Sequence, residues 1–204
     1  MGTIARGAKA GGGTDFNTGQ IIDPAEVNTD LNTAYTVINA NLDNDNIKAA
    51  AGIVFTKLTH SGARVFNSAS LGVASNTITT LTFDTERYDT DAYHSTVTNT
   101  GRLTAPTTGK YLIMGHARFA ALTTYERIGL QIRVNGVTVI ASNITALATP
   151  ANYTQDYSIS AVYLLAATDY VELIAFQRNT AASAQDVSAV ANLSPEFSIT
   201  LLGA

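Results

Sequence analysis

RLTAPTTGKYLIMGHARF, residues 102–119, decides the fold. A short run, Arg102-Leu103-Thr104, meets the turn Pro106-Thr107-Thr108-Gly109, and a long alternating stretch follows. Side chains in a strand point alternately to opposite sides. Tyr111, Ile113, Gly115, Ala117 and Phe119 therefore share one face, and Leu112, Met114, His116 and Arg118 the other. Both faces carry apolar residues, so both are expected to be partly buried. The runs on either side of the turn are expected to pair.

The same grammar continues in both directions. Downstream, Arg127–Val134 (RIGLQIRV) sets Ile128, Leu130, Ile132 and Val134 against Arg127, Gly129, Gln131 and Arg133. Asn135-Gly136 then predicts a type I′ hairpin turn, with a return through Val137–Ile140. Tyr153–Leu165 predicts one or two strands, Asp169–Gln177 a central strand apolar on both faces, and Glu196–Leu202 a closing strand. Upstream, strands are expected at Ala63–Phe66, Ser68–Val73 and the Thr-rich Thr77–Phe83. Asp84–Ser95, 120–126, 141–152 and 178–194 read as loops. Eight to ten short antiparallel strands with no helical period predict a mainly β protein, a two-sheet sandwich or jelly roll over residues 63–204.

Before residue 63 the composition changes. Residues 1–20 are Gly-rich and predict a flexible docking arm. Residues 21–62 predict a short helix and an extended connector. Asp23 can cap, Pro24 suits the first helical position, and Glu26 completes a capping box. Val27, Leu31, Ala34 and Ile38 form one apolar stripe on an otherwise mostly polar helix. That stripe is an expected oligomer seam, since such a helix alone in water is marginal.

Twelve basic and sixteen acidic residues give a net charge of -4 with no basic run, against direct nucleic-acid binding. Only 14% of residues are charged, where about a quarter is usual, so much of the surface is expected either to be covered by other subunits or to be built from Thr, Ser, Asn and Ala. No run approaches the ~18 apolar residues of a membrane span. The chain has no cysteine, and His60, His94 and His116 stand at no metal-ligand spacing. No catalytic residue, cofactor site or enzyme activity is expected. Asp84, Asp89 and Asp91 are the calcium candidates, weighed against aspartates that only cap their own turns.

The series Phe83, Tyr88-Asp89-Thr90-Asp91, His94, Arg102-Leu103, Ala105-Pro106, Gly109-Lys110-Tyr111-Leu112, Asn135-Gly136, Asp169-Tyr170-Val171-Glu172-Leu173 and Phe197-Ser198-Ile199 resembles C1q/TNF-like jelly-roll domains, most of all those of bacteriophage structural proteins. Thr168 stands where those domains carry Gly. Thr18-Gly19-Gln20-Ile21-Ile22, Asp23-Pro24, Val27-Asn28, Leu31-Asn32, Ile38-Asn39 and Asn46-Ile47 through Lys57-Leu58 resemble the connector region of phage tail fibres. The resemblance implies a homotrimeric virion protein: a fibre, spike or capsid decoration component anchored to other virion proteins through residues 1–60. The alternative it leaves open is host recognition, with the jelly-roll loops binding a surface glycan or protein.

Overall fold

The computed structural model describes residues 60–147 and 152–203, together with Asn28, Leu31 and Asn32. The chain divides into two units, Met1–Leu58 and Thr59–Ala204. In the first, Asn28, Leu31 and Asn32 are helical and exposed. Val27, Ala34 and Ile38, the docking arm and the connector lie outside the described residues.

The second unit holds twelve strands: β1 (Gly62–Phe66), β2 (Leu71–Val73), β3 (Thr77–Thr80), β4 (Thr85–Asp89), β5 (Arg102–Thr104), β6 (Gly109–Phe119), β7 (Tyr125–Val134), β8 (Thr138–Ala146), β9 (Gln155–Leu165), β10 (Tyr170–Asn179), β11 (Gln185–Val187) and β12 (Glu196–Gly203). They form two antiparallel sheets. The larger runs β9-β6-β12-β1-β4, with β11 and β2 joined at the Phe119 end of β6. The smaller runs β5-β10-β7-β8.

The odd face of β6 is wholly buried, and it packs with Phe197 and Ile199 of β12 against Leu173, Ile132 and Leu130 of the smaller sheet. Its even face is only half covered, with Met114 43% exposed. The sheets come closest at Gly115, where a Cβ would lie 2.5 Å from Leu173 Cδ1. β10 lies inside its sheet and is buried along most of its length, as its sequence predicts. Asn135 (φ 51°) and Gly136 (φ 72°) make the expected turn between β7 and β8.

Four local expectations are corrected. β5 and β6 do not pair: β5 joins β10 in the smaller sheet, so Pro106–Gly109 carries the chain from one sheet to the other. Thr85–Asp89, expected in a loop, is edge strand β4, held by the backbone of β1 despite its polar side chains. β8 extends through 141–146 along β7. The small-residue loop after Asn179 contains β11. In each case pairing with a distant strand outweighs weak local propensity.

Candidate functional site: the outer face of the larger sheet

The register sets out this face row by row. His116 stands between Glu196 of β12 and Ser158 of β9, Met114 between Ser198 and Ser160, and Leu112 between Thr200 and Val162. Three serines flank two larger side chains, so the face is hollowed rather than flat. A groove of about 560 Å³ opens there, walled by Arg64, Tyr88 and Glu196. Below it Val162 (61% exposed), Leu164 (63%) and Leu202 (57%) continue an apolar strip past Lys110.

Besides Lys110, charge gathers at the Phe119 end of the strip and along one flank. Glu196 is almost buried and receives two guanidinium groups. Arg64 Nε donates at 2.9 Å and Arg87 Nε at 2.7 Å, and each adds an Nη2 contact. Arg87 also stacks 4.4 Å from the Phe66 ring centroid. At the Phe119 end, Arg118 grips Asp156 through two bonds of 2.8 and 2.9 Å. Those bonds to Arg118 hold the Asp156 carboxyl below its usual range despite partial burial. His116 Nδ1 donates to the Leu193 carbonyl at 2.7 Å, which fixes the ring over the groove.

The smaller sheet differs. Its outer face carries Arg102, Glu172, Arg133, Arg127, Arg178 and Glu126, with Arg178 Nε donating to Glu126 at 2.6 Å. One sheet thus turns a charged face outward, and the other an apolar strip with small hydroxyl residues beside it.

The aspartates singled out as calcium candidates are occupied locally. Asp84 accepts from the Ser68 amide (2.9 Å) and hydroxyl (2.5 Å) and from Thr85 Oγ1 (2.8 Å). Burial pushes its carboxyl up, but the bonds from Ser68 and Thr85 outweigh this and hold it low. Asp89 accepts the amides of Asp91, Tyr93 and His94, closing the turn after β4. Among the described residues Asp91 accepts only from Thr90 Oγ1. Among the described residues no three His, Asp or Glu side chains are grouped as metal ligands. The His94 side chain is buried, with Nδ1 3.0 Å from Glu86 and Nε2 3.1 Å from the Thr100 carbonyl. His60 lies at the entry to β1. The apolar strip is only partly legible in the sequence. Its residues are legible as the even face of β6, but only the register brings Val162, Leu164 and Leu202 beside them.

No protein-family profile and no curated protein matches the chain. Among solved structures, murine APRIL at pH 5.0 superposes with a TM-score of 0.52 at 12% identity, over 71% of this chain and 100% of that one. The fold is a C1q/TNF-like jelly roll. The jelly roll is similar also to the globular domain of zebrafish complement 1qA (TM-score 0.49, 16% identity, 70% of this chain and 97% of that one). Eiger TNF from S. frugiperda gives 0.46 at 16% identity, over 72% and 94%.

Proposed function

We propose that the chain is a non-enzymatic structural protein of a phage particle, a homotrimeric fibre, spike or decoration component. Its jelly rolls associate through the outer face of the larger sheet, and residues 1–60 anchor it to other virion proteins. The observation that carries the trimer is the apolar strip around Met114, Val162, Leu164 and Leu202. Exposed apolar patches of this kind mark interaction surfaces, and copies of the same chain related by closed symmetry would cover it. The paucity of charge supports the same reading, as does the resemblance of the N-terminal stretch to tail-fibre connectors.

Light scattering on the intact chain at several concentrations tests it. The expected result is a stable mass three times 21.4 kDa. Met114→Glu, which sets a carboxylate in the middle of the strip, should release folded monomers. A monomer from the unaltered chain overturns the trimer. The virion role has its own test: deleting residues 1–20 should spare folding and abolish attachment to the particle, and retained attachment would place the anchor elsewhere. A second reading, recognition of a host surface, is favoured by a polar cleft at the β5–β10 end of the sandwich.

A further inference from the structure

We infer that this cleft binds a saccharide bearing a carboxylate; the inference deepens the recognition reading and does not depend on the trimer. The cleft measures about 330 Å³, at the lower end of small-ligand sites (roughly 300–1,000 Å³) and suited to about one sugar ring. Thr98, Asn99, Arg102, Thr104, Thr168 and Tyr170 line it, and among the described residues no carboxylate does. The wall is therefore rich in hydrogen-bond donors and carries one fixed cation.

Arg102 is the anchor. Its guanidinium carbon lies 3.9 Å from the Tyr170 ring centroid, and its Nε reaches Glu172 only at 3.4 Å. Among the described residues its two terminal nitrogens have no partner, so the stacked fork is held in place with two donor nitrogens unused. Arg102, Glu172 and Arg133 stand in one row across β5, β10 and β7. That row is two cations to one anion, and Arg133 Nε is buried without a partner. Asp169, next to the cleft, is turned away: it accepts from Asn135 Nδ2 (2.8 Å) and the Ala166 amide (2.8 Å).

The backbone supplies an independent sign. Three residues lining the cleft hold positive φ without being glycine: Ala92 (57°), Asn99 (52°) and Thr168 (75°). A β-branched residue in this region is an outlier, and such outliers gather at ligand clamps. Thr168 is kept there by its amide bond to Ala105 O (2.8 Å), and it brings a hydroxyl to the cleft where glycine would bring none.

Titration of the full chain with 3′-sialyllactose, lactose and sodium acetate, followed by calorimetry and by amide chemical shifts, tests the site. Sialyllactose should bind saturably, with shifts at Thr98–Thr104 and Thr168–Tyr170, and lactose and acetate should bind at least about tenfold more weakly. Arg102→Lys, which keeps the charge and loses the fork, should weaken sialyllactose about tenfold. Thr168→Gly should weaken it while leaving the melting temperature equal or higher, a combination that a merely structural threonine would not give. Where Arg102→Lys fails to fold, Thr168→Gly alone carries the test. Equal binding of lactose overturns the carboxylate, equal binding of acetate overturns the saccharide, and unaltered affinity in the folded variants overturns the location. Silence towards all three probes overturns the site.

Discussion

Gly129 shows how tightly single residues are constrained. Its φ is +153°, and a Cβ there would lie 1.9 Å from the Asn143 carbonyl oxygen and 2.7 Å from Ile144 Cα. Backbone of the paired strand cannot yield as a side-chain tip can. Gly129→Ala is therefore expected to cost about 3 kcal/mol or more, whereas Gly203→Ala, with nothing within 4 Å, should be neutral. Denaturant unfolding of the two variants checks this, and equal midpoints would refute it. Burial pushes the phenols of Tyr93 and Tyr125 up to about 12. The neutral form is the one the fold favours, so this stability is complete below the unfolded value near 10. It is lost as pH rises from 10 to 12, by about 1.4 kcal/mol per pH unit for each phenol. Absorbance at alkaline pH should show both rings ionising late, together with unfolding. Normal titration in the folded state would refute the burial argument.

Among the elements, β12 is tied to β1 and β4 by more than backbone pairing. Glu196 draws Arg64 and Arg87 onto one almost buried carboxylate. Glu196→Ala leaves two guanidinium groups facing each other without an anion. With Arg64 still 43% exposed, solvent screening moderates the loss to about 1–3 kcal/mol. A cycle with Arg87→Ala should show the two changes to be non-additive; strict additivity would mean that the carboxylate does not link them. The β7–β8 turn has a similar second role. Asn135 takes the positive φ that the hairpin needs, and its side chain also reaches Asp169 and the Tyr170 amide, tying the turn to the start of β10. At the other end of β10, Gln177 is fully buried, and its amide nitrogen donates to the Val73 and Ser183 carbonyls. This polar group closes a strand that reads in sequence as simply apolar.

At the scale of the whole molecule, assembly is the property to test. The N-terminal stripe of Val27, Leu31, Ala34 and Ile38 is proposed as a seam between copies. Ile38→Asp should then lower the oligomer mass or raise its dissociation concentration; an unchanged mass at every concentration would refute the seam. Most of the strands, the Asn135-Gly136 hairpin, the alternating faces of β6 and β7 and the mainly β class are legible in the sequence. They follow from periods of two residues and from local turn chemistry, which neighbouring residues specify among themselves. The partners of β5, the promotion of Thr85–Asp89 and Gln185–Val187 to strands, the meeting of two arginines on Glu196 and the apolar strip were decided only by tertiary structure. Each depends on which distant backbone supplies the hydrogen bonds and on register between strands far apart in the chain, and no local period encodes that.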